Sequence, residues 1–517
     1  MFSTPDLGLG DDPVDEWTAA TRAAGPDPLA GESVSVVGAG FGGLSAAAHL
    51  AAAGADVTVY ERRETVGGVA GQIERAGYVF DTGPTWYLLP ETFERFFGRF
   101  DTSPAERYDL THLDPHYRVF WKDGDRADVP ADPDAVRDLF EAREPGAAAA
   151  LDRYLERAEE CYELGMERFV RRDRSRLRDM LDTDVLRSGR ALPLLGSMDD
   201  FVADYFDDPK LRQLVEYTLV FLGGAPHNTP ALYCLMSYVD VELGVYYPDG
   251  GMWSVVESVA DVAREQGATI ETGAPVQEID PHGRGVDLTV GGRRRSADRV
   301  VSAAPPSHVE RDLLPRGVAD RDDYWADRTY APSAFMLYLG VERSLPEFAH
   351  HTLVLPTDWD DHFHAIFEDP EWPADPAYYL CVPSRTDDAV APADGEAVVV
   401  LVPIAPGLDD DPATRERYRD WVLGDLAEHT GVDLRDRIVV EERACVSEFR
   451  RRFNAPQGTA LGMAHTLRQT GPFRPGRRAP DANRLYYAGS YANPGVGVPM
   501  CLLGGGQAAA AAVRDAA

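Results

Sequence analysis

Gly38, Gly40 and Gly43 form a GxGxxG spacing, and Glu61 follows 18 positions after the last of them. Each glycine meets a separate need: the first permits a tight turn, the second lets a pyrophosphate reach bare backbone, and the third lets a helix lie close on a strand. The carboxylate of Glu61 is placed to accept both hydroxyls of an adenosine ribose, and its charge disfavours a 2′-phosphate. The pattern predicts a bound dinucleotide, FAD or NAD and not NADP, with Phe41, inside the motif, counted among the binding residues.

The elements that must position these groups are written around them. SVSVV at 33–37 is a β-branched run that reads as a buried strand, 44–53 has helical composition ended by Gly54, and ADVTVY at 55–60 reads as a second strand. Strand, glycine turn, helix, strand and terminal acid occur in order, a βαβ unit whose helix start points unpaired N–H groups at phosphate.

The segments after this unit resemble a known family. ERRETVGG at 61–68 carries a second glycine pair, Gly67 and Gly68, soon after the acid, and GYVFDTGP at 77–84 leads to Trp86 and Tyr87. The pattern is similar to the flavin amine oxidase and carotenoid desaturase superfamily, which implies FAD, with Arg62 and Gly68 among its contacts. The sequence departs from that pattern at Val69, where arginine is usual; Arg62, Arg63 and Arg75 are the candidate replacements. Near the other end, RLYYAGSYANPGVGVPM at 484–500 resembles the closing signature of bacterial-type phytoene desaturases. The resemblance implies that Gly489, Gly495 and Gly497 bring backbone to the flavin, that Val498 adjoins it, and that a last helix starts near Leu503. The residue matching Val276 is implied to contact adenine through its backbone. The likeness spans roughly residues 33–513, and FDTGPTWYLLP with AGSYANPGVGVPM look most like the haloarchaeal branch.

Composition sets bounds of its own. The 517 residues include 51 basic and 86 acidic side chains, a net charge of −35, and only two of the basic residues, Lys122 and Lys210, are lysines. Acid spread along the whole chain suits a surface kept hydrated in concentrated salt, a halophilic cytoplasm, and argues against nucleic-acid binding, which needs clustered cations. Cys161, Cys234, Cys381, Cys445 and Cys501 are widely separated and make no CxxC pair, so neither a disulfide framework nor a zinc motif follows. The first thirty residues lack the basic start and apolar core of a secretory leader. No run reaches the roughly 18 apolar residues of a membrane helix. The expected place is the cytoplasm, with any membrane contact peripheral and made through an apolar patch.

The expected fold is α/β, a Rossmann-like FAD-binding domain interleaved with a mixed α+β substrate domain. Residues 1–30 form an acidic extension; 31–105, 240–310 and 455–517 form the FAD side; 106–239 and 311–454 form the substrate side. Leu151 to residue 169 alternates at helical spacing, 171–178 is arginine-rich, and the apolar runs at 201–206 and 219–222 read first as core and second as part of a carotene tunnel. His350, His351, His362 and His364 lie within fifteen residues, but the intervening acids and the family resemblance predict an exposed strand and loop without metal.

The function implied is desaturation of phytoene or of a later acyclic carotenoid, such as the 3,4 bond of a lycopene derivative, with oxygen or a quinone as the final electron acceptor. Side chains cannot accept hydride, so the flavin must; the allylic charge spreads along the polyene, and no catalytic acid or base is named, with Asp81, Tyr87 and Tyr491 placed near the flavin only by resemblance. Two alternatives stand beside this reading: a carotene isomerase using reduced flavin, and a non-redox prenyl-lipid binder like the Rab GDP-dissociation inhibitors.

Overall fold

The computed structural model describes residues 15–171 and 196–517. Ser33–Val37 is the central strand of a five-stranded sheet in the order Leu485–Tyr487, Arg299–Ser302, Ser33–Val37, Asp56–Tyr60, Thr269–Glu271. Every pairing is parallel, and Val36 lies opposite both Val301 and Val59. Four of the five residues of the central strand are buried, as a β-branched run covered on both faces requires. The strands arrive from three separated stretches of chain, so this sheet closes only when distant segments meet.

Helix Phe41–Ala52 packs on this sheet and against helices Met252–Glu265 and Val498–Ala516. Its contact with the last helix is made by small residues: a Cβ on Gly505 would overlap the carbonyl oxygen of Gly42, and Ser45 Oγ donates to the Leu502 carbonyl at 2.6 Å. The helix begins at Phe41, three residues before the sequence suggests, because Gly42 and Gly43 sit inside its first turn. The last helix begins at Val498, not near Leu503, since Pro499 is acceptable in a first turn and Gly497 supplies the N-cap.

A larger sheet of seven strands runs Ile438–Ala444, Ser333–Val341, Glu396–Ile404, Tyr378–Cys381, His351–Leu355, Tyr117–Trp121, Arg126–Val129. All neighbours are antiparallel except His351–Leu355 with Tyr117–Trp121. Alternation assigns its faces. Phe335, Leu337, Leu339 and Val341 pack with Val422, Leu423 and Leu426 of helix Pro412–Thr430. Ala334, Met336 and Tyr338 turn the other way, toward helices Pro133–Arg143, Ala147–Leu164, Met198–Ala203 and Pro209–Glu216. Val202, Phe206 and Leu219 belong to that core, with Phe201, Tyr205, Val220 and Leu222 packed partly buried against it. Of the arginine-rich stretch, residues 172–178 lie outside the described residues.

The two sheets are joined by the hairpin Gln72–Arg75 and Tyr78–Asp81 and by the pair Leu110–His112 with Tyr246–Pro248. Asp81 Oδ2 accepts from the Met252 N–H at 2.7 Å and caps helix Met252–Glu265. Tyr338 crosses from the larger sheet to donate to the Thr82 carbonyl at 3.0 Å. The histidine group differs from expectation: His350, His351 and His362 are buried and only His364 is exposed, because the strand at 351–355 is internal to the sheet and helix Asp360–Phe367 turns His362 inward.

Candidate dinucleotide site

Gly38 leaves its strand at φ +95°, a left-handed conformation that glycine adopts without strain. Gly40 caps helix Phe41–Ala52, and a Cβ on Gly43 would overlap the carbonyl oxygen of Gly38. A Cβ on Gly42 would stand 2.7 Å from the Gly489 nitrogen, so the first helical turn and the closing motif touch backbone to backbone. The first-turn N–H groups of this helix have no partner within the helix, and Gly40 at its N-cap offers no side-chain cap.

Glu61 follows the second strand and is 7% exposed. Its Oε2 accepts from the Ala39 N–H at 2.8 Å and its Oε1 from the Arg63 N–H at 2.8 Å. The carboxylate is thus fixed against the glycine turn. Gly67 N–H donates to the Ala39 carbonyl at 2.7 Å, and Gly68, at φ +62°, lies against Gly40 with neither carrying a Cβ. The two glycine motifs fold onto one another, and a Cβ on Gly67 would fall on the Ala70 carbonyl oxygen.

Among the three arginines that could replace the usual one at Val69, Arg63 stands at the motif: its Nη1 donates to the Gly68 carbonyl at 2.6 Å. Arg62 is turned away, donating to Asn454 Oδ1 at 3.1 Å and the Arg451 carbonyl at 3.1 Å. Its side chain therefore caps the end of helix Val446–Phe453 and points away from the glycine turns. Arg75 pairs with Glu442 at 2.8 Å on the surface. Val276 opens strand Val276–His282, half-buried, two residues after Ala274, whose N–H donates to the Glu61 carbonyl at 2.8 Å.

At the closing motif the Ala488 N–H donates to the Ser302 carbonyl at 2.8 Å, Gly489 turns at φ +84°, and Gly497, exposed at φ +111°, precedes the half-buried Val498. Two side chains that sequence reasoning missed hold this turn. His465 Nε2 accepts from the Val496 N–H at 3.2 Å while its Nδ1 donates to the Tyr233 hydroxyl at 2.7 Å. Arg474 donates to the carbonyls of Met463 at 2.9 Å and Ser490 at 2.8 Å, and burial lowers its guanidinium to about 10. Both are lone residues in GMAHTLRQTGPFR, with no spacing that signals a role. Asp81 and Tyr87 are structural in this arrangement: the first caps a helix, its carboxyl raised to about 7 by burial, and the second shares a hydrogen bond of 2.9 Å with Tyr108. Tyr491, half-buried, follows the Ser490 carbonyl that Arg474 holds.

On the side of the larger sheet, Trp86 lies 6.0 Å from Tyr117 and from Tyr217 between ring centroids. Both tyrosines donate to Asp240, at 3.1 and 2.9 Å, and burial raises that carboxyl to about 7. Burial also raises Glu216 to about 8. His350 and His351 are held neutral by the same desolvation. This half has an apolar, aromatic interior with few charges.

The donor set at the parallel sheet fits an FAD. It consists of a helix N-terminus, the buried Glu61 carboxylate, the Arg63 cation beside the second glycine pair, and a glycine turn in which Gly42, Gly43 and Gly67 leave no room for a Cβ.

Comparison with known proteins agrees. The model of the flavin-containing amine oxidoreductase family matches residues 41–513. The carotenoid 3,4-desaturase of Haloarcula japonica is 54% identical over 492 residues, 95% of this chain and 99% of that protein. A zeta-carotene-forming phytoene desaturase of Myxococcus xanthus is 33% identical over 484 residues, 92% of each chain. Among solved structures, an oxidoreductase from Methanosarcina mazei matches with a TM-score of 0.60 at 16% identity, covering 92% of this chain and 98% of that one. Cyclohexylamine oxidase from Brevibacterium oxydans matches with a TM-score of 0.58 at 17% identity, over 94% and 99%. These structural likenesses establish the fold.

Proposed function

The chain belongs to the flavin-containing amine oxidoreductase family and, within it, to the carotenoid desaturases, and from that premise we propose that it desaturates the 3,4 bond of a late acyclic carotenoid. It is an FAD-dependent oxidoreductase acting on CH–CH bonds. The observation that carries the finer reading is the end-to-end identity of 54% with a 3,4-desaturase, against 33% with a phytoene-acting relative.

FAD, when bound, supplies the hydride acceptor that no side chain provides. The protein's own part is placement. Glu61 and the backbone of Gly38, Gly40 and Gly43 hold the nucleotide end, with Arg63 close to the phosphates; Gly489 and Gly497, held through Arg474 and His465, shape the flavin end. The aromatic interior around Trp86, Tyr117 and Tyr217 is the side on which we place the polyene. Electrons leave to an acceptor of the oxygen or quinone class.

No helix among the described residues is long and apolar enough to cross a membrane. Phe473, 50% exposed beside Arg474, offers an apolar contact near the closing motif for a membrane surface. The acidic surface and the haloarchaeal relative support operation in concentrated salt.

The test is the carotenoid profile after incubating FAD-loaded protein, in molar salt, with liposomes carrying phytoene and a hydroxylated lycopene derivative together. A new double bond in the lycopene derivative alone is the expected result. Conversion of phytoene overturns the 3,4 assignment, and loss of neither substrate while geometric isomers accumulate overturns desaturation.

A further inference from the structure

His351 and Cys381 are direct cross-strand partners where strands His351–Leu355 and Tyr378–Cys381 pair, so both side chains leave the same face of the larger sheet. His350 adjoins them, its ring 4.6 Å from that of His351 and nearly perpendicular. One donor atom from each of the three lies within 4.8 Å of the other two, and all three residues are buried.

The imidazoles are oriented from behind. His350 Nδ1 meets Thr386 Oγ1 at 2.7 Å and His351 Nδ1 meets the Tyr379 hydroxyl at 2.7 Å, which leaves the buried Nε2 of each without a hydrogen-bond partner. A buried nitrogen left open is costly. One ring nitrogen fixed by an outer partner and the other free is the arrangement of a metal-ligating histidine. Trp86 stacks on the His351 ring at 3.9 Å and 10° and shields it on one side. The cluster differs from the four-histidine group in the sequence: Cys381 joins from another strand.

We propose that His350, His351 and Cys381 form a three-coordinate site, two nitrogens and one sulfur, for a monovalent copper ion. A thiolate donor favours soft ions. The low coordination number suits copper(I), and one thiolate cancels its single charge, so no net charge is buried; zinc would leave a buried positive charge and want a fourth ligand. On binding, a Cu–S bond forms as the Cys381 S–H breaks and its proton passes to solvent, with no change of oxidation state. The ion would tie the two strands and the residue before them together beneath Trp86.

The experiment uses the full-length, FAD-loaded protein under anaerobic conditions with copper(I), in competition with a chromophoric copper(I) chelator. One copper per chain should remain bound, and copper X-ray absorption should show one sulfur and two nitrogen neighbours. Cys381→Ser and His351→Gln should each weaken retention at least about 100-fold, while Cys445→Ser, another buried thiol, leaves it unchanged. Failure of the wild type to hold copper, retention by Cys381→Ser, a shell without sulfur, or displacement by equimolar zinc each overturns the assignment. Should the variants fail to fold, the shell measured in wild type decides alone.

Discussion

Around Gly38–Gly43 and Gly67–Gly68 the chain is positioned by backbone lying on backbone, whereas inside the seven-stranded half the inward positions are filled mostly by side chains, with Gly340 giving its place to the Tyr78 ring. At the first region a methyl group is already too much: a Cβ on Gly43 falls on a carbonyl oxygen and one on Gly42 falls on Gly489. At the second, the interior is a shared volume of leucine, valine, tyrosine and tryptophan that other combinations could fill. Recognition of the nucleotide and packing of a hydrophobic core therefore place different demands on sequence. One requires particular residue types at fixed spacing, and the other requires mostly apolar volume, with a few polar pairs such as Asp240 with Tyr117 and Tyr217 set into it.

Gly43→Ala should break the first region outright. With no room for a methyl group, the expected outcome is loss of bound flavin and of most folded protein, read as flavin absorbance per chain and by thermal melting. Leu211→Ala, in the buried core of the other half, should cost about 2–5 kcal/mol of stability while leaving flavin per folded chain unchanged. If it also lowers FAD affinity, the two regions are less separable than the contrast holds.

Asp240 sharpens the comparison through pH. Burial raises its carboxyl from the ordinary 3.8 to about 7, so the folded chain keeps a proton that the unfolded chain has lost. That contribution is fully present below about pH 4 and is lost as pH rises through 7, a change of up to about 4 kcal/mol. Asp240→Asn should flatten the melting temperature between pH 4 and 8 relative to wild type in the same salt. An unchanged slope would mean that the two tyrosine hydrogen bonds keep this carboxylate charged.

The smallest effect separates two neighbouring arginines. Arg63→Ala should weaken FAD binding about tenfold, near 1.4 kcal/mol, because its guanidinium stands at Gly68. Arg62→Ala should change FAD affinity less than twofold, since that side chain is engaged at Asn454 and Arg451. Equal losses would place both at the phosphates.

The same contrast explains what could be read in the sequence. Gly38, Gly40, Gly43 and Glu61 were legible because a tight turn, a bare backbone and a ribose carboxylate each admit few residue types. Even there the helix start was misplaced, since glycine is a poor helix former and Gly42 and Gly43 nonetheless lie within the first turn. His465 and Arg474 left no trace because each acts alone, on backbone atoms that any sequence provides. His351 and Cys381 meet only through strand pairing across 30 positions, which proximity along the chain does not reveal. Asp240 is invisible for a related reason: its tyrosine partners lie 123 and 23 residues away.

Anaerobic titration of the FAD-loaded protein with its carotenoid tests the central claim most directly, following the oxidised-flavin absorbance and the polyene spectrum together. Desaturation predicts that one flavin is reduced for each new double bond, with the polyene band moving to longer wavelength in step. A polyene that changes while the flavin stays oxidised, or a carotenoid that binds and leaves both spectra unchanged, would contradict it.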